Sequence, residues 1–168
     1  MRLLIVENDP VLRLTVATLA RDIGFTAHVA DGRSLVTNLL RNVAFDLVLM
    51  DMDQPWLDSA PAMHMLRNNC GPNKKTLVIG ATSCTDSEEL EAMWKSGLDS
   101  LVAKPYDLNE LLEEMVRLLD SGPGRERPGS KKRLWTGAGL AVQDEAFFSP
   151  KDDLIIVLEE DLSDEGGA

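Results

Sequence analysis

Four apolar stretches of the chain each end in residues able to handle charge. LLIV (3–6) runs into Glu7, Asn8 and Asp9, and DLVLM (46–50) into Asp51, with Asp53 two positions on. TLVIGA (76–81) runs into Thr82 and Ser83, and SLVA (100–103) into Lys104 and Pro105. Brought together, these ends would set carboxylates beside a hydroxyl and an ammonium. Clustered carboxylates repel one another unless a proton or a cation joins them. Oxygen donors without imidazole or thiolate suit a hard ion such as Mg²⁺. A lysine and a hydroxyl beside that ion match the needs of a phosphoryl group: positive charge, and a donor to an equatorial oxygen. Asp51 is then the nucleophile, because a carboxylate can form an acyl phosphate. Singly, each residue has a plainer use as a turn residue, a helix cap or a solvated charge. The recurrence of the needed types at separate strand ends is what points to chemistry.

Those residues must be positioned by strands. The four runs, with the weaker FTAHVA (25–30), read as five strands, four of them apolar throughout. Continuous apolar runs fit strands covered on both faces of a parallel sheet, and the weaker second run is expected at an edge. Helical periods lie between the runs. Leu12, Val16, Leu19 and Ile23 fall on one face, and Gly24 then stops the helix. Leu35, Leu39 and Leu40 mark a second helix, and Ala62, Met63, Met65 and Leu66 a third. Leu90, Met93 and Trp94 mark a fourth, capped by Thr85 or Asp86 and ended near Gly97. A fifth enters from Asp107 and carries Leu108, Leu111, Leu112, Met115 and Leu119. The expected fold is α/β: a doubly wound five-stranded parallel sheet, flavodoxin-like (βα)5, with a C-terminal tail. Such sheets bind ligands at the carboxyl ends of their strands, where the charged residues sit.

Composition narrows the classes. With 168 residues, 44% hydrophobic and 27% charged, the chain suits one ordinary domain and a remainder. A net charge of −11 argues against a general nucleic-acid binder, which needs clustered Lys and Arg. MRLLIVENDP meets acid too early for a signal peptide or a membrane span. Cys70 and Cys84 lack metal-ligand spacing, and His28 and His64 lie apart from them, so a reduced cytoplasmic setting is expected.

Taken together, LLIVENDPVLR, FDLVLMDMDQP, VIGATS and LVAKPYDLNEL resemble, in order and spacing, the receiver domain of two-component response regulators over about residues 1–120. The resemblance implies Asp51 as phosphoacceptor, with Thr82 and Lys104 contacting its phosphoryl group. It implies Glu7, Asn8, Asp51 and the backbone carbonyl of Asp53 as Mg²⁺ ligands, and a cis peptide before Pro105. The phosphoryl donor would be a phosphohistidine on a histidine kinase or a histidine phosphotransfer protein. The chain would act as a switch of protein contacts, not as an enzyme. Departures from the family pattern are Asn8, where an Asp is usual; Leu101, where many members carry an aromatic; and Ser59, where Gly is usual, with Trp56 after the proline. Asn8 supplies an oxygen but no charge. The Asp53 side chain, placed near the ion or an attacking water, would be a partial compensation.

From Ser121 the character changes. SGPGRERPGSKKR (121–133) reads as a Pro/Gly linker with five basic residues and one Glu. Residues 134–168 read as an acidic tail in which LIIVL (154–158) has two readings: a short strand that adds to a sheet edge, in this chain or a partner, or part of a mostly flexible tail. No recognition-helix pattern appears there, so direct nucleic-acid or membrane binding is not expected, while the downstream protein and a homodimer stay open. The competing reading is a degenerate receiver that binds a protein partner without phosphoryl chemistry, and Asn8 favours it. A flavin carrier of similar topology would need a phosphate-cradling loop after the first strand, where ENDP is acidic.

Overall fold

The computed structural model describes residues 1–55, 63, 66–67, 71–121, 134–135 and 154–156. In chain order the elements are β1 (Arg2–Val6), α1 (Pro10–Asp22), β2 (Thr26–Ala30), α2 (Arg33–Asn42), β3 (Leu47–Asp51), β4 (Leu77–Thr82), α3 (Ser87–Lys95), β5 (Ser100–Ala103) and α4 (Leu108–Ser121). Two further short strands, β6 (Leu134–Trp135) and β7 (Leu154–Ile156), come from the C-terminal region. Of the third helix expected from the sequence, Met63, Leu66 and Arg67 are helical; Ala62, His64 and Met65 lie outside the described residues. So do Trp56, Ser59, Cys70 and the linker after Ser121.

The five principal strands form one parallel sheet in the order β5-β4-β3-β1-β2, the doubly wound arrangement the sequence calls for. Among these five, β2 stands at the edge, as expected, and a further strand adds to it. β7 pairs beside it, Ala27 opposite Leu154 and His28 opposite Ile155, and β6 pairs beside β5 at the other side.

Alternate side chains on each strand point to opposite faces, and both faces are buried. Leu3, Ile5, Leu47, Leu49, Ile79 and Ala81 face α1 and α4, which contribute Val16, Ala17, Ala20, Leu111, Met115 and Leu118. Leu4, Val6, Val48, Met50 and Val78 face α2, which contributes Leu35, Val36, Leu39 and Leu40, together with Met63 and Leu66. Each fully buried aliphatic side chain contributes about 2 kcal/mol relative to exposure. Gly80 serves this packing. A Cβ there would lie 2.9 Å from Leu98 Cδ1, 3.0 Å from Leu101 Cδ1 and 3.1 Å from Met52 Cγ, so a larger residue would force these side chains to repack. Leu101 is fully buried in this contact.

Helix starts and stops are chemical. Asp9 caps α1, its carboxylate accepting from the amides of Val11 at 2.8 Å and Leu12 at 3.0 Å, with Pro10 as first helical residue. Asp86, rather than Thr85, caps α3 by accepting from Glu88 and Glu89. Asp107 accepts from Asn109 and Glu110 at the start of α4. Each such cap is worth about 1 kcal/mol. Gly24 ends α1 with a φ of +93°, the left-handed region that glycine reaches without strain. The buried face of α1 is turned toward Val16, Ala17 and Ala20, which leaves Ile23 38% exposed instead of in the core.

Candidate functional site

The site is made by strand order. β1 lies beside β3, β3 beside β4, and β4 beside β5, in registers that set Val6 opposite Met50, Asp51 opposite Ala81 and Thr82 opposite Ala103. The residue that ends or follows each strand therefore reaches a common edge. Glu7, Asp51, Thr82 and Lys104 all arrive there, and Asp53 joins them from the turn after β3. The Lys104–Pro105 peptide is cis.

Lys104 is the hub. Its Nζ lies 2.5 Å from Asp51 Oδ1, 3.7 Å from Glu7 Oε2 and 3.8 Å from Asp53 Oδ2. Asp51 is 6% and Glu7 5% exposed, so these two carboxylates share the ammonium with little water to screen them, while Asp53 stands exposed beside it. Burial pushes the Glu7 carboxyl up and the negative Asp51 adds to that; the Asp9 amide, donating to Glu7 Oε1 at 3.0 Å, and Lys104 pull it back only in part. Tyr106, packed beneath, is raised by burial first and then by the negative field of Glu7, Asp51 and Asp9. The cluster carries more negative charge than its lysine cancels.

Both Asp51 oxygens are engaged. The Asp53 amide donates to Oδ1 at 3.0 Å, and Gln54 Nε2 donates to Oδ2 at 2.7 Å. Gln54 is buried and its Oε1 has no partner. Sequence reading passes over this residue, since a lone Gln in a turn looks like a solvated loop. Only its position three residues after Asp51, next to Pro55, is a signal. Arg13 is a second such residue: from α1 it donates to the Glu7 carbonyl at 3.0 Å and pairs with Asp31 at 2.8 Å, bracing the turn after β1.

The Asp53 side chain, besides lying 3.8 Å from Lys104 Nζ, has partners of its own. It turns to the end of β4, where Oδ1 accepts the Thr82 hydroxyl at 2.6 Å and Oδ2 accepts the Ser83 amide at 2.9 Å and hydroxyl at 2.8 Å. Burial raises this carboxyl, but these hydrogen bonds and Lys104 outweigh it and hold it below the usual range. Thr82 is fully buried, and its oxygen also accepts the Cys84 amide at 3.0 Å. Asp9 is spent on the α1 cap. Asn8 is exposed, and among the described residues no hydrogen bond ties its side chain to the cluster.

For a divalent cation the donor chemistry fits. Glu7 and Asp51 are adjacent buried carboxylates under a charge excess, and Asp53 can add its backbone carbonyl, so the set is oxygen-only and suits a hard ion. Among the described residues no three Asp, Glu, His or Cys side chains converge as a ready-made cluster. The fit therefore rests on two carboxylates and a carbonyl.

Known proteins show the same frame. The family model for the response regulator receiver domain matches residues 3–116. Sensor protein GacS of Pseudomonas syringae pv. syringae is 29% identical over 151 residues, covering 87% of this chain and 17% of that protein. The DNA-binding response regulator MtrA of Mycolicibacterium smegmatis is 31% identical over 112 residues, 66% of this chain and 47% of that one. This chain thus spans less than half the length of either relative. Among solved structures, the receiver domain of a sensor histidine kinase from Pseudomonas aeruginosa PAO1, with a magnesium ion coordinated in its active-site cleft, superposes with a TM-score of 0.63 at 22% identity over 71% of this chain and 98% of that one. The match runs from the first strand into the last helix of the sheet domain, and with it the chain belongs to the response regulator receiver domain family of two-component signalling.

Proposed function

We propose that this receiver is a working phosphoacceptor, with Asp51 taking a phosphoryl group from a phosphohistidine donor and thereby changing which proteins the chain contacts. The observation that carries this reading is the Lys104 ammonium held 2.5 Å from a buried Asp51 at the carboxyl edge of the sheet. In the transfer, an Asp51 oxygen attacks phosphorus in line, an O–P bond forms and the N–P bond of the donor breaks. The bonding pair leaves with the imidazole nitrogen. Lys104 stays in place to meet the new phosphoryl oxygens, at about twice the strength of a neutral hydrogen bond. The Thr82 hydroxyl is the nearby neutral donor for a further oxygen. Glu7, Asp51 and the Asp53 carbonyl, with Asn8 at the rim, would hold Mg²⁺, which supplies positive charge for the phosphoryl oxygens when bound.

The product carries about −2 charge at neutral pH, added to a site that already has an excess. That imbalance is what drives rearrangement of the end of β4 and of the surface near α3 and β5. The chain itself ends each transfer phosphorylated, so it is a stoichiometric partner of a histidine kinase or phosphotransfer protein and not an enzyme. We assign the receiver to about residues 1–120 and regard 121–133 as a linker and 134–168 as an acidic tail. No helix among the described residues is long and apolar enough to cross a membrane; the cytoplasm, where such donors act, is the proposed setting. The exposed Asn8 amide favours the second reading, a receiver that binds its partner without phosphorylation. Incubation with acetyl phosphate and Mg²⁺ separates them: a mass gain of one phosphoryl group supports the acceptor, and no gain at any Mg²⁺ concentration supports the binding module.

A further inference from the structure

Asp53 touches both halves of the site. Its amide donates to Asp51 Oδ1 at 3.0 Å, while its carboxylate takes the Thr82 hydroxyl proton at 2.6 Å and both donors of Ser83. A hydroxyl has one proton to give. With that O–H directed at Asp53 and its oxygen accepting from the Cys84 amide at 3.0 Å, Thr82 has no proton to offer a group on Asp51. A carboxylate is an acceptor as strong as a phosphoryl oxygen, and burial of Thr82 removes water as a competitor.

We propose that the Asp53 carboxylate is a resting-state latch: a positioning residue that holds the Thr82–Ser83 turn and competes with a phosphoryl group on Asp51 for the Thr82 proton. The proposal rests on Asp51 being the acceptor. Before transfer, Asp53 stands in for the phosphoryl group as the partner of Thr82. After transfer, negative charge arrives beside Asp53, and Lys104, now 3.8 Å from Asp53 Oδ2, has a stronger anion to serve. Thr82 can then change partner, whereas Ser83 keeps Asp53 through its amide and hydroxyl. The carboxylate thus sets how much of the phosphorylated protein has its Thr82 donor on the phosphoryl group. An apolar side chain at position 53 would leave Thr82 free from the start, and an amide, a weaker acceptor, would hold it less firmly.

The test uses the full chain with Asp53→Ala, Asp53→Asn, Thr82→Ala and the Asp53→Ala/Thr82→Ala pair, with Thr82→Ser as the conservative control. In the unphosphorylated protein, Asp53→Ala is expected to speed exchange of the Ser83 amide by about tenfold, and Asp53→Asn by less, because the amide keeps an acceptor. After labelling with acetyl phosphate and Mg²⁺, Asp53→Ala is expected to slow loss of the phosphoryl group several-fold. That slowing should persist with Thr82→Ser and vanish with Thr82→Ala, the signature of two residues acting as one. Unchanged Ser83 exchange overturns the latch, as does an Asp53→Ala effect of the same size with and without the Thr82 hydroxyl. If the wild type takes up no phosphoryl group, the acceptor reading falls. The exchange measurement then decides separately whether Asp53 holds the turn.

Discussion

At the amino-terminal end of the sheet, Asn73 ties loops together with neutral hydrogen bonds; at the carboxyl-terminal end, Lys104 ties strands together with charge. Asn73 accepts from the Phe45 amide at 2.8 Å and the Thr76 hydroxyl at 3.0 Å, and donates to the Leu40 and Val43 carbonyls at 2.7 Å each. Every polar atom of that side chain has its partner, and the residue is 2% exposed. Beside it, Arg67 donates to the carbonyls of Thr76 and Gly97 and pairs with Asp99, which also accepts the Val78 amide. The two ends differ in balance. The first is satisfied by neutral hydrogen bonds. The second holds three carboxylates on one ammonium, an arrangement that costs stability and that a new charge can reorganise.

The comparison breaks most sharply at Asn73. Asn73→Ala would take the partner from the Phe45 amide and from the Leu40 and Val43 carbonyls and cost about 3 kcal/mol of stability. A denaturant midpoint should fall accordingly, while phosphoryl uptake per folded molecule stays as in the wild type. If labelling falls with stability preserved, the amino-terminal end is not merely structural. Lys104→Ala is the mirror experiment. Uptake from acetyl phosphate should drop by about a hundredfold, the size seen when one preorganised donor to developing charge is removed. A variant that labels normally would remove Lys104 from the account.

A smaller effect sharpens the neutral end. His28 stacks edge-on against Phe45 at a centroid distance of 5.2 Å, and burial first, then the positive Arg2, holds its pKa below the usual 6.5. Its folded pKa is below the unfolded one, so the unfolded chain binds the proton more tightly. This residue carries no penalty above the unfolded value; stability is lost as pH falls from there through the folded pKa. Thermal melts of His28→Leu across that window should show a shallower acid decline than the wild type. Equal declines would mean that His28 stays solvated.

The smallest expected effect is at Asn8. Asn8→Asp adds a carboxylate at the rim of a site already short of cations, and should tighten Mg²⁺ by about fivefold in a calorimetric titration. No tightening would show that Glu7, Asp51 and the Asp53 carbonyl suffice.

Much of this was legible in the sequence because the signals are local. Continuous apolar runs such as LVLM and LVIG demand cover on both faces, which fixes the parallel sheet, and a parallel sheet gathers strand ends. Glu7, Asp51, Thr82 and Lys104 follow from that rule. What escaped is set by neighbours from other strands. The Asp53 carboxylate shows its hydrogen bonds only in the fold, because Thr82 and Ser83 lie 29 and 30 positions further on and reach it across the β3–β4 pair. Asp9 was counted among the site acids, yet it stands one residue before Pro10 and is taken by two helix amides. Gln54 gave no pattern at all, because one buried amide has no periodicity. Which edge β7 joins was not legible: it pairs beside β2, the edge of the five principal strands, from 124 residues further on, Ala30 to Leu154.

The central claim is that Asp51 itself receives the phosphoryl group. The most direct measurement is to label the full chain with acetyl phosphate and Mg²⁺, reduce it with borohydride, which converts an aspartyl phosphate to homoserine, and sequence the peptides by mass. The account predicts conversion at Asp51 and at no other carboxylate, with none in Asp51→Asn. Conversion at Asp53 or Glu7, or unchanged labelling of Asp51→Asn, would contradict it.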